Sequence, residues 1–141
     1  MNREIKFRGK SIMNNTCGDW LYSSGIKYGD DVELMYCDED TSEEWNYIDK
    51  ETLGQYTGLD DKNGKEIYEE DIVLLACYHY EEPLFSREFK VIYDEEKGMW
   101  LLVDLEDKEN IYTFENIRGY YKTEIEVIGN IYDNPELLGG E

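Results

Sequence analysis

The residues whose types and spacing suit chemistry are mostly carboxylates. The segment Asp60-Asp61-Lys62-Asn63-Gly64-Lys65-Glu66-Ile67-Tyr68-Glu69-Glu70-Asp71 has the Asp, Asn and Gly content of a calcium loop. Such a loop takes an acidic ligand at its first position and glycine at its sixth. With Gly64 as the sixth residue, Leu59 falls first, although Asp61, Asn63 and Glu70 fall third, fifth and twelfth. No helical pattern flanks the segment. A tight turn is the better reading, because Asn63-Gly64 tolerates positive φ. Cys77 and His79 lie two residues apart and share one face of a strand. A Cys–His nucleophile also needs oxyanion donors, and no such motif accompanies the pair, so Cys77 reads as an ordinary buried cysteine. Pairs of carboxylates are unavoidable among 34 acids, so their abundance does not specify glycoside hydrolysis.

Other chemistries lack their motifs. The chain has neither glycine-rich phosphate loop and no Gly-x-Ser-x-Gly. One histidine and no Cys-x-x-Cys leave a zinc site short of ligands. Cys17, Cys37 and Cys77 are odd in number and widely spaced, which does not suit a disulfide framework. The residues therefore predict no catalytic site, no metal and no cofactor, and the chain reads as a non-enzymatic protein.

The elements that must carry these residues are strands. Val, Ile, Tyr, Phe and Trp cluster in short runs broken by Gly, Asn and Asp. Ile5–Arg8 alternates apolar and basic residues. Trp20–Tyr22 and Val32–Tyr36 are expected to pair across the Ser23–Asp31 connection, with Trp45–Ile48 a weaker strand. Ile72–Tyr78 is a near-continuous apolar run, suited to a central strand buried on both faces. Phe89–Tyr93 and Met99–Val103 flank Asp94–Gly98 and predict a hairpin closed through a glycine at positive φ. Ile111–Phe114 and Thr123–Tyr132 add two strands. In the latter, Ile125 and Val127 face inward while Glu124 and Glu126 face water. Asn134-Pro135 predicts one helical turn, with Asn134 as its cap. Short strands with glycine-bearing turns favour a mainly β fold, a small barrel or rolled sheet.

Charge dominates the surface. The 141 residues hold 34 Asp plus Glu against 14 Lys plus Arg, a net charge of -20, together with 13 Tyr, 4 Phe and 3 Trp. So large a charge favours a solvated chain, whereas that many rings favour a packed core. Direct nucleic-acid binding and binding to anionic membranes are both disfavoured, because each needs a basic footprint. No apolar run reaches the roughly 20 residues of a membrane span. The basic start, Met1–Lys10, leads to no apolar stretch of a secretory signal, so the expected compartment is the cytoplasm. Carboxylates on a folded surface can stand where nucleic acid presents phosphates, with exposed rings as anchors. The candidate interaction surface comprises Asp38, Glu39, Asp40, Glu43, Glu44, Trp45, Gln55, Tyr56, Asp60, Asp61 and Asn63.

Three segments carry a family resemblance. Arg3-Glu4-Ile5-Lys6-Phe7-Arg8-Gly9-Lys10 opens the chain, Glu51–Val73 follows with Gly54-Gln55-Tyr56-Thr57-Gly58-Leu59-Asp60-Asp61-Lys62-Asn63-Gly64, and Val127–Leu138 closes it. In order and position these resemble the YopX family of phage and prophage proteins. The resemblance implies a mostly β, barrel-like fold with a strongly bent antiparallel or mixed sheet and an SH3-like core around Asp71-Ile72-Val73. It implies one domain over 1–141, with N-terminal strands and an acidic loop over 1–53 and a barrel-like core over 54–141. It also implies a bacterial host cell, and no activity or catalytic residue. The family has Gly before Asp-Ile-Val, where this chain has Glu70, which argues against a positive-φ turn there. The expected role is protein binding, with a host or phage partner, in the form of an acidic inhibitor or nucleic-acid mimic. The alternatives are a small-molecule or nucleotide-binding barrel, and a self-assembling structural protein.

Overall fold

The computed structural model describes residues 4–36, 44–115 and 122–138. The chain divides into two compact units, residues 1–58 and 59–141. The paired strands are antiparallel in both.

The first unit contains β1 (Phe7–Lys10), β2 (Trp20–Ser23), β3 (Ile26–Tyr28), β4 (Val32–Tyr36), β5 (Glu44–Ile48) and the start of β6 (Gly54–Asp60). β1 pairs with β2 and with β6, while β4 lies between β3 and β5. The expected pairing of Trp20–Tyr22 with Val32–Tyr36 is not made. The connection between them holds a strand of its own, β3, which folds back onto β4 with Tyr28 opposite Val32. Leu21, Val32, Leu34 and Ile48 form the core, with Phe7, Ile26 and Leu53 packed against it. Gly9 is required by close approach: a Cβ there would collide with Ile48 Cδ1.

The second unit contains β7 (Glu66–Tyr68), β8 (Asp71–His79), β9 (Glu82–Asp94), β10 (Met99–Asp104), β11 (Ile111–Thr113) and β12 (Lys122–Asn130). The main sheet runs β11-β10-β9-β8-β12. β8 is an interior strand of this sheet, between β9 and β12, as its apolar run predicts. Asp71, Ile72 and Val73 are all buried, but from Leu74 onward burial alternates, so only the start of the strand is covered on both faces. The β9–β10 hairpin forms as expected, with Gly98 at φ +63° and its N–H donating to the Asp94 carbonyl at 2.7 Å. Val73, Leu75, Phe89, Val91 and Leu102 fill the core, with Ile125 and Val127 packed against it.

The chain is mainly β, and a 3₁₀ turn, Pro135–Leu138, follows the last strand. The sheets do not close into a barrel among the described residues; the main sheet ends in edge strands β11 and β12. β12 stops at Asn130, two residues short of the expected end. The Asn130 Oδ1 accepts hydrogen bonds from the N–H groups of Tyr132 and Asp133, both at 2.9 Å, which turns the chain. Asn134 Oδ1 accepts from the Asn130 N–H at 3.2 Å, so Asn134 closes this turn rather than capping the one that follows.

Candidate protein-binding surface

The Asp61–Lys65 segment, just after β6, forms a turn that guards a strand edge. Asp61 is buried, and its carboxylate accepts three backbone N–H groups: Asn63 at 2.8 Å, Lys65 at 2.9 Å and Val127 at 2.9 Å. The Lys62 N–H donates to the Ile125 carbonyl at 2.9 Å, and Lys62 Nζ lies 3.6 Å from Glu124 and 3.7 Å from Glu126. The turn thereby occupies hydrogen-bonding positions on the outer edge of β12, an edge that would otherwise invite pairing. Burial raises the Asp61 pKa, but the N–H groups of Val127, Lys65 and Asn63 and the Lys65 charge outweigh it, holding the carboxyl below its ordinary value.

A second turn overturns an expectation. Glu70 sits at φ +70° despite its side chain. Its N–H donates to the Val91 carbonyl at 2.8 Å, and its carbonyl accepts from the Ile131 N–H at 3.1 Å, so both neighbours dictate the conformation. Asp71, only 1% exposed, accepts the Tyr68 N–H at 2.7 Å across the same turn. The left-handed geometry is thus kept without glycine.

The cations divide between aromatic faces and carboxylates. In the first unit the Arg8 guanidinium lies 4.5 Å from the Trp20 ring, and Lys10 shares that ring at 5.3 Å. Lys27 lies 4.3 Å from Trp45, and Lys50 lies 4.8 Å from Tyr28. These ammonium and guanidinium groups cover aromatic faces. In the second unit Lys62 bridges two strand acids, and Arg87 Nε lies 2.6 Å from Asp104, itself 1% exposed. Asp104 also accepts from the Asn110 side chain and the Glu106 N–H, both at 2.9 Å. Burial raises the Asp104 pKa, and the bonds from Asn110, Glu106 and Arg87 pull it below its ordinary value. Glu81, Glu82, Glu95, Glu96 and Glu109, all exposed, make no ion pair among the described residues.

The structure distributes the sequence-derived candidates unevenly. Asp38, Glu39, Asp40 and Glu43 lie outside the described residues. Glu44 is exposed at the start of β5, and the neighbouring Trp45 is half-buried beneath Lys27. Gln55 is half-buried on β6, and Tyr56 is buried beside it. Asp61 and Asn63 share one turn and Asp60 ends β6 just before it; Asp60 and Asn63 are exposed. Tyr56 and Asp61 therefore supply packing and hydrogen bonds rather than surface. Cys77 is buried in the core, with Thr123 Oγ1 3.8 Å from its sulfur, while His79 is exposed with its ring edge-on to Tyr80 at 4.7 Å.

Sequence reasoning did not single out the β8–β9 hairpin. It ends in Tyr80-Glu81, between the paired His79 and Glu82. Tyr80 is 83% exposed at φ +55°, and Leu84 is 54% exposed. A bulky residue in the left-handed region is strained, and such strain is concentrated at functional sites. β9 extends well past β10: the ladder with β10 ends at Phe89, and one further bond joins the Leu105 N–H to the Glu88 carbonyl at 3.1 Å. A groove of about 530 Å³ lies there, lined by Leu74, Phe85, Ser86, Arg87, Glu88, Leu105, Glu106 and Leu137. No group of acids, histidines and cysteines suited to a metal occurs among the described residues.

Open antiparallel sheets with a guarded β12 edge define the class of β protein to which this chain conforms. A family model described as YopX protein matches residues 6–139. The chain belongs to the YopX family. Among solved structures it is similar to the crystal structure of protein EF1440 from Enterococcus faecalis, with a TM-score of 0.51 and 23% identity, covering 97% of this chain and 99% of that one. At that identity the likeness concerns the fold alone. No curated protein matches the chain. No helix among the described residues is long and apolar enough to cross a membrane.

Proposed function

We propose that this YopX protein is a non-enzymatic accessory protein of a phage or prophage that acts by binding another protein in the cytoplasm of the bacterial host. Its partner is a nucleic-acid-binding or defence factor with a basic surface, and carboxylates presented in place of phosphates block that surface. The observation that carries this reading is a net charge of -20 on an ordered β core several of whose cations stack on aromatic rings or pair with carboxylates of the same unit. The acids of the hairpin turns are left to act outward. Such a surface raises association rates with a basic partner and makes binding salt-sensitive.

The test is capture from a bacterial lysate on the immobilised protein. At about 50 mM salt a protein with a basic surface is expected to be retained, and at about 500 mM it is released, because screening shortens the reach of surface charge. If no basic protein is retained at the lower salt, the inhibitor reading fails.

A further inference from the structure

We infer that the open edge of β9 at Phe85–Glu88 is a docking slot for an extended segment of a partner protein, a strand alternating basic and apolar residues. The inference deepens the proposed function and rests on it for the existence of a protein partner.

The slot follows from where β10 ends. β9 runs from Glu82 to Asp94, but β10 pairs only with its Phe89–Asp94 portion. On its other side β9 is paired with β8 from Glu82 to Lys90. The carbonyls of Glu88 and Asp94 both point to the β10 side, accepting from the N–H groups of Leu105 and Gly98. By the two-residue alternation of a strand, Ser86 turns its N–H and carbonyl to that same side. Neither Ser86 group has a hydrogen-bond partner among the described residues. The groove beside it is lined by Phe85 and Arg87 from one face of β9 and by Ser86 and Glu88 from the other. A groove that meets both faces of a strand runs along its edge, where an added strand would lie. Leu74, Leu105 and Leu137 supply apolar contacts for alternate side chains of the incoming segment.

Charge selects the occupant. Glu88 and Glu106 line the slot, whereas the Arg87 charge is taken up by Asp104 at 2.6 Å and Glu106 at 3.6 Å. The hairpin beyond it adds Glu81 and Glu82, with Leu84 and Tyr80 as exposed apolar contacts. A second copy of this chain would bring the same carboxylates and another -20 of net charge to the edge, so a basic strand is favoured over self-pairing. Pro83 and the bulge between Cys77 and Tyr78 blunt the outer end of β9 and confine pairing to the slot.

The experiment uses the full chain and a short fluorescein-labelled peptide of alternating Lys and Val, followed by fluorescence anisotropy. Ser86→Pro removes the outward N–H on the side of β9 that β8 does not use, so the fold is expected to persist. The peptide is expected to bind the unaltered protein, to lose affinity about tenfold or more for Ser86→Pro, and to slow exchange of the Ser86 amide. The same peptide N-methylated on alternate amides is expected to lose a similar factor, a comparison that does not depend on how the variant folds. Equal binding by Ser86→Pro and by the N-methylated peptide overturns the slot while leaving a purely electrostatic partner surface intact. A light-scattering mass of two chains that Ser86→Pro reduces to one assigns the edge to a second copy and overturns the basic occupant. No binding of the peptide by the unaltered protein, with a basic protein still retained from lysate, also overturns the slot alone.

Discussion

At the scale of single residues, the buried carboxylates Asp61 and Asp104 are structural. Asp61 satisfies three N–H groups and Asp104 holds Arg87, Asn110 and the Glu106 N–H. Asp61→Ala is expected to cost about 2–3 kcal/mol, measured by urea unfolding, because it strands donors that a charged acceptor satisfied. Both carboxyls titrate lower in the folded chain than in the unfolded one. The stability they add is complete above the unfolded carboxylate range, near pH 4, and is lost as pH falls through the folded values. The stability gap between the native chain and Asp104→Asn should therefore narrow below about pH 4; a gap independent of pH would contradict the assignment. Glu70 supplies a test of the opposite sign. Glu70→Gly removes the clash of a Cβ at φ +70° and, after allowing for the entropy of glycine in the unfolded chain, is expected to raise stability by about 0.5–1 kcal/mol, seen as a higher Tm. Glu70→Ala keeps the strain, loses the Lys90 ion pair and should lower it.

At the scale of elements, what was legible in the sequence was local. The β9–β10 hairpin was readable because Gly98 marks its turn, and β8 because its apolar run is uninterrupted. β3 was not, because three residues with Lys27 in the middle give too short an alternation. The choice of strand partners in the first unit was not either, since pairing across tens of residues depends on tertiary fit such as the approach of Gly9 to Ile48. Gly9→Ala is expected to destabilise the chain by about 1–3 kcal/mol in urea unfolding, through overpacking against Ile48. The first half of β9 escaped for a different reason. Glu82-Pro83-Leu84-Phe85-Ser86-Arg87-Glu88 is polar and contains a proline, so it reads as a loop, and an edge strand with one open side tolerates that composition. The proposed slot was hidden by the same composition, whereas the net charge of -20 was plain from the residue count.

At the scale of the whole molecule, acidity and order coexist because apolar burial is concentrated in two clusters of strand residues. The uncompensated charge still opposes the compact state. Raising salt from about 0.05 to about 0.5 M should therefore raise Tm, because screening relieves self-repulsion; a Tm unchanged by salt would mean that the carboxylates are neutralised locally. The proposed role requires that those carboxylates engage a basic partner. The most direct measurement is competition for the protein retained from lysate, with labelled DNA as the rival ligand. The account predicts that this YopX protein displaces the DNA at about 50 mM salt and loses that ability as salt rises. Retention of no basic protein, or a retained protein that holds its DNA undisturbed in the presence of excess YopX protein, would contradict it.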